Sequence, residues 1–224
     1  MNLDPELIAA DWIGAPPVAQ EMPGPWPIRS ARLEVRPATR EDLPQIWAYR
    51  RLPEVASWMT SAWPGGWAEF EAYYLRPDCL SVTLVVELPE AEGRVIGDLM
   101  VRVGDAWAQK EVSAGARGSV AEIGWCLAPD SQGQGYAEEA VRQVITYAFG
   151  TLGVRRVVAE LFADNLPSRR LCERLGMRLE AHMRADSLHR DLGWVDGLGF
   201  ALLESEWSGA DPQRADSTRR SPDA

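Results

Sequence analysis

The residues with the most chemistry in their spacing form one run, Gln132-Gly133-Gln134-Gly135-Tyr136-Ala137. It lies between a β-forming segment, Val120 to Leu127, and a segment with one apolar stripe, Ala137 to Leu152. That order reads as strand, tight turn and helix. The first N–H groups of a helix have no partner within it, and the helix dipole makes the point on which they converge positive. Gly133 and Gly135 carry no side chain and Ala137 a small one, so a phosphate can approach the backbone closely without Lys or Arg. A nucleotide P-loop would need Gly-Lys-Ser/Thr, which is absent. A dinucleotide fingerprint would need a third glycine where Glu138 stands. A turn that merely joins strand to helix remains open on these residues alone.

The surrounding pattern alternates strands and helices. Leu33 to Arg36 reads as a short strand, and Thr39 with Asp42 resembles a capping box opening a helix to about Arg51. Pro53 to Thr60 and Trp67 to Leu75 read as short helices, and Ser81 to Leu88 and Val95 to Val103 as strands joined by the turn 89–93. A polar loop, Asp105 to Ser119, expected to be mobile, precedes the strand Val120 to Leu127. In the next helix Ala140, Val141, Val144, Ile145, Ala148 and Phe149 share one face. A strand over Val157 to Phe162, a helix from Pro167 to near Gly176, and a strand pair, Arg178 to Ala185 with Trp194 to Leu203, complete the domain. The sum is an α+β (α/β-like) domain with a mixed sheet over residues 31–207. A Pro-rich arm, 1–30, precedes it, with a short helix over Pro5 to Trp12, and Trp12 and Trp26 are placed to tack the arm down. The polar tail, 208–224, is expected to be disordered.

The net charge of −10 argues against broad binding to nucleic acid or anionic lipid and favours cationic partners. Cys79, Cys126 and Cys172 match no zinc spacing, so no metal is expected and all three read as reduced, mostly buried thiols. No signal peptide or membrane span is evident, and the cytoplasm is the expected location.

The chain resembles the GNAT superfamily of N-acetyltransferases. Gln132-x-x-Gly135-x-Ala137 is similar to that family's acyl-CoA pyrophosphate loop. Ala31 to Pro37, Ala121 to Trp125, Pro129 to Ala137, Asp164-Asn165-x-x-Ser168, Glu173 to Gly176 and Trp194 to Asp196 resemble the branch that acetylates ribosomal-protein N-termini, the RimJ/RimL type. The resemblance implies a mixed sheet whose two central parallel strands, Val120–Leu127 and Val157–Phe162, splay apart around acyl-pantetheine. It implies that the amides of Gly133, Gln134, Gly135, Tyr136 and Ala137 hold the diphosphate of acetyl-CoA. Cys126 and Leu127 would pair with the pantetheine, the Cys126 N–H would polarise the thioester, Asn165 would bond the pantetheine arm and Ser168 would sit near the thiol. By analogy the protein is expected to be a homodimer.

Transfer from thioester to amine needs a neutral amine, a polarised carbonyl and a stabilised thiolate. Glu122 lies four residues before Cys126, on the same face of its strand, and could take the amine's proton through water or simply pair with an Arg. The tyrosine that many GNAT enzymes place seven residues after the motif Asn is Cys172 here, which leaves Ser168 as a hydrogen-bond donor to the thiolate. His182, on a strand, and His189, in a loop, receive no role. Trp58, Trp63 and Trp67 lie where the family borders its acceptor pocket and could line it or fill a core. Asp98, Asp186 and Asp196 could attract a cationic amine, and Asp196 fits the family pattern while also suiting a structural turn. The expected activity is direct acetyl transfer in a ternary complex to a protein N-terminus or a small amine. A catalytically weak acyl-CoA-binding module, or an enzyme using a bulkier donor such as succinyl-CoA, stays beside it.

Overall fold

The computed structural model describes Gln20 and residues 22–91 and 93–207. The expected helix at Pro5 to Trp12, the Trp12 contact and the tail lie outside these residues. Eight strands form one sheet: β1 (Ile28–Arg29), β2 (Glu34–Pro37), β3 (Thr83–Leu88), β4 (Arg94–Gly104), β5 (Val120–Leu127), β6 (Arg156–Phe162), β7 (Arg178–His189) and β8 (Gly193–Leu203). Their order is β1-β2-β3-β4-β5-β6-β8-β7. The β5–β6 pair alone is parallel, and it is short: Val120, Ala121 and Glu122 face Arg156, Val157 and Val158, and there the pairing ends. Beyond it β5 stays on β4 through Leu127 and β6 stays on β8 through Phe162, so the two strands part.

Helices cover both faces. Helix α5 (Tyr136–Gly150) buries its stripe of Ala140, Val141, Val144, Ile145 and Ala148 against Leu84, Ile96, Leu99, Ala121 and Ile123, and α6 (Leu166–Arg174) adds Leu171 and Cys172. The stripe follows from apolar residues at helical spacing, which must leave water together. On the opposite face α1 (Leu43–Arg50), α2 (Pro53–Ala56), α3 (Gly66–Tyr74) and α4 (Pro77–Leu80) build a second core with Leu43, Ile46, Phe70, Tyr74, Val85 and Cys126. Along β5 the pleat therefore sends Ala121, Ile123 and Trp125 to the α5 side and Glu122 and Cys126 to the α1 side.

Several expectations are corrected. The 105–119 segment holds a 3₁₀ run, Lys110–Ala116, and its base is closed by Ala106 N–H to Ala116 O (2.9 Å) and Gly118 N–H to Asp105 Oδ1 (2.8 Å). Ile28 and Arg29, assigned to the arm, are the first strand, and Trp26 packs on Tyr147, whose hydroxyl donates to Pro23 O (2.7 Å). The helix from Pro53 stops at Ala56, because the carbonyls that follow are used from outside: His189 Nε2 meets Ser57 O (2.7 Å), and Arg190 donates to Ala56 O and to Met59 O (2.7 Å for the latter). His189 is thus the buried last residue of a β7 longer than read from sequence, not a loop residue. That strand also carries a bulge between Met183 and Ser187, with Ala185 at φ +48° and its N–H bonded to Asp196 Oδ1 (2.8 Å). Two-residue periodicity breaks at a bulge, which is why the strand was read too short.

Candidate active site

The loop between β5 and α5 has the form its glycines suggest. Gly133 (φ +73°) and Gly135 (φ +81°) both occupy the left-handed region, which a residue with a Cβ adopts only with strain. A Cβ at Gly133 would meet nothing within 4 Å, and one at Gly135 would meet only Arg32 Nη2 at 3.5 Å. The space above both is open, as a bound phosphate requires. Gln132 turns its side chain back to Leu127 O (3.0 Å) and Gln134 turns its own to Asp130 O (2.9 Å), so both side chains stabilise the loop.

The ladder fixes which groups of β5 face the opening. Ala128 N–H donates to Ile96 O (2.8 Å), and the register runs without a shift through Cys126 opposite Asp98. Backbone groups of alternate residues point to the same side. Cys126 N–H therefore belongs to the β4 ladder and is not aimed at a thioester, contrary to the sequence expectation. The N–H groups of Trp125 and Leu127 point towards the gap left by β6.

On the far wall Asn165 caps α6, its Oδ1 accepting from Ser168 N–H (3.2 Å). Ser168 Oγ accepts a hydrogen bond from Trp125 Nε1 (3.2 Å), a link across the opening from β5 to α6. An oxygen that accepts from an indole N–H keeps its own proton free to donate elsewhere. Trp125 was missed from sequence; its place one residue before Cys126 puts it on the opposite face, towards α6. Cys126 and Cys172 are buried, and burial pushes both thiols up to about 12, so neither is a nucleophile.

The α1 side of the opening is acidic and aromatic. Glu122 lies beside Arg102 (3.4 Å) with its side chain 28% exposed. Glu160, on β6, is held above the ordinary carboxylate range by partial burial and then by the charges of Glu122 and Asp186. Asp186 is aimed by the bulge of β7: a Cβ at Gly197 would stand 2.7 Å from its Oδ1, so the glycine makes room for it. Asp98, a sequence candidate for amine binding, is instead buried and spent on Arg50 and on Tyr49 Oη (2.7 Å). Asp196 is engaged with Ala185 N–H and with His182 Nε2 (2.6 Å), which makes it the clamp of the bulge.

Of the three tryptophans, Trp63 is buried at φ +55° and packs with Phe70 (5.2 Å) and Tyr73 (5.0 Å) between centroids, and Trp67 packs with Phe70 (5.8 Å) and Trp47 (6.2 Å). Both belong to the second core. Trp58 alone meets the β7–β8 hairpin, edge-on to His189 (5.6 Å). A cavity of about 380 Å³ lies elsewhere, against α1 and the start of β4, lined by Gln45, Tyr49, Leu52, Arg94, Ala128 and Asp130. Among the described residues no cluster of His, Cys, Asp or Glu could hold a metal ion, and no helix is long and apolar enough to cross a membrane.

A splayed parallel pair with a glycine loop at its mouth defines an acyltransferase class, and comparison with known proteins agrees. Residues 32–178 match the acetyltransferase (GNAT) domain family, and the chain belongs to that family. It is 34% identical over 87 residues to the uncharacterized N-acetyltransferase YnaD of Bacillus subtilis, covering 39% of this chain and 51% of that protein. The chain thus spans about half the length of the curated relatives it matches. Among solved structures, a GNAT-family acetyltransferase from Bacillus anthracis superposes with a TM-score of 0.64 at 25% identity, over 80% of this chain and 99% of that one. The spermidine N-acetyltransferase of Vibrio cholerae, solved with CoA and spermine, superposes with a TM-score of 0.65 at 20% identity, over 79% and 98%, a likeness of fold.

Proposed function

We propose that the chain moves acetyl from acetyl-CoA to a primary amine, directly, within a ternary complex. The observation that carries this reading is the parting of β5 from β6 after three residue pairs, beside a glycine loop with open space above Gly133 and Gly135. The amides of Gly133 to Ala137 bind the diphosphate. The free edge of Trp125–Leu127 pairs with the pantetheine as an added strand would, beside Asn165. Leu127 N–H, rather than Cys126 N–H, polarises the thioester carbonyl. The neutral amine attacks that carbon and the C–S bond breaks. Ser168, oriented by Trp125, donates its hydroxyl hydrogen bond to the departing thiolate. Glu122 accepts the amine's proton through water.

The acceptor we favour is a slender amine with more than one positive charge. Glu160's proton affinity is raised first by partial burial and then by the negative charges of Glu122 and Asp186, and a cation bound beside these acids would offset both. The Vibrio cholerae spermidine N-acetyltransferase, solved with spermine, takes an amine of this class. An exposed protein N-terminus of the RimJ/RimL type is the other amine compatible with the cleft. The test is release of free thiol from acetyl-CoA in the presence of single amines. Release that needs an amine, and runs faster with diamines and polyamines than with uncharged-tail monoamines, is the expected result. CoA binding with no amine-dependent release sinks the reading.

A further inference from the structure

The first turn of α5 carries two acids, Glu138 and Glu139, close to the amides that would meet a diphosphate. Carboxylates there suit the helix dipole but repel a phosphate. Both are neutralised from outside the turn. Glu138 pairs with Arg142 (3.2 Å) and Arg174 (2.9 Å). Glu139 accepts from Arg32 Nε (2.7 Å), Arg32 N–H (3.1 Å) and Ser30 Oγ (2.7 Å), and these bonds hold it below the usual carboxylate range, against some burial.

Arg32 does more than balance Glu139. Its Nη1 donates to Gln134 O (3.0 Å), inside the loop. Its guanidinium lies over the Tyr136 ring, 4.5 Å from the centroid. Its Nη2, which also lies 2.6 Å from Glu139 Oε2, is the atom nearest the open space above Gly135, at 3.5 Å from a Cβ placed there. Its side chain is still 46% exposed. A residue more than 100 positions away in sequence is thus fixed on three sides with its cationic edge at the mouth of the loop.

We propose that Arg32 is a phosphate-binding residue of the donor site, its guanidinium contacting the diphosphate of the acyl donor while Glu139 fixes its orientation. This rests on the donor-loop reading above and adds to it a charged group that main-chain amides do not supply. A guanidinium fork suits phosphate oxygens, and stacking on Tyr136 keeps it planar to the loop.

The test is calorimetric titration of the full chain with CoA at low and high salt, with thermal melts to verify folding. R32Q is expected to raise the Kd for CoA about fivefold at low salt. The gap should close in about 1 M salt, because a partly exposed charge is screened. E139Q keeps an amide oxygen that accepts from Arg32 Nε, and so its orientation, while removing the carboxylate that competes for its charge, and is expected to leave the Kd unchanged or to lower it. Of the two variants only R32Q is therefore expected to weaken binding. A purely structural tie between the β1–β2 turn and α5 would instead weaken binding in both, independently of salt, and that result overturns the proposal, as does R32Q binding CoA like the unaltered chain. An unaltered chain with no affinity for CoA removes the donor-loop reading itself, a failure distinct from the loss of Arg32's role alone.

Discussion

The donor wall and the acceptor wall of the opening are built from different materials. On the proposed donor wall the groups offered are mainly main-chain amides in one short stretch, 133–137, with the backbone held by two left-handed glycines. On the proposed acceptor wall they are side chains drawn from β5, β6, β7 and the turn after α2, namely Glu122, Glu160, Asp186 and Trp58. The first kind of site tolerates no Cβ where the backbone turns left-handed. The second tolerates substitution and changes preference instead, since its groups are independent of one another's backbone.

Substitutions on the two walls should therefore separate cleanly. The largest expected effect is Gly135→Val: forcing a β-branched residue to φ +81° costs about 1–3 kcal/mol, and CoA affinity should fall at least about tenfold, for every amine alike. Calorimetry with CoA checks it, and full binding by this variant would break the contrast. Smaller, and confined to one substrate, is Glu160→Gln with Asp186→Asn. KM for a diamine should rise about threefold to tenfold, with KM for acetyl-CoA and for a monoamine unchanged. The raised proton affinity of Glu160 fixes the sign with pH: its charge is lost at a higher pH than for an ordinary glutamate, so acidification should weaken diamine binding early in the unaltered chain and less in the double variant. The smallest is Trp125→Phe, which removes the hydrogen bond to Ser168 and should lower kcat about threefold. In a Ser168→Ala background the same change should do nothing more, because both act through one hydroxyl. Additive losses would assign Trp125 a packing role.

The same contrast explains what could be read in the sequence. The loop was legible because its chemistry is local: glycines, a strand before and an apolar stripe after dictate a helix N-terminus with open amides. The family followed from motifs in their order. The α5 stripe and the β5 strand also stand as read, whereas the cap that Asn165 places on α6 was not anticipated. Arg32 and Trp125 were not legible as site residues, because their partners Gln134, Glu139 and Ser168 lie far along the chain. Cys126 was given the wrong backbone role because side-chain alternation alone does not say which neighbouring strand takes a residue's N–H. The register with Asp98 does. Asp98 itself looked like a free acid, and only the approach of α1 shows its charge already matched by Arg50.

The end of β7 and the residue after it reach the end of α2 and the turn beyond it with hydrogen bonds to carbonyl oxygens, those of Ala56, Ser57 and Met59, and the Trp58 ring adds an edge contact to His189. His189 is fixed for this from behind, its Nδ1 accepting from Asp191 N–H (3.1 Å) and Leu192 N–H (3.3 Å). Every amino acid offers the same oxygen, so these hydrogen bonds are blind to what the bonded residues are. A change at position 58 would remove the ring contact to His189 and leave the three carbonyl hydrogen bonds in place.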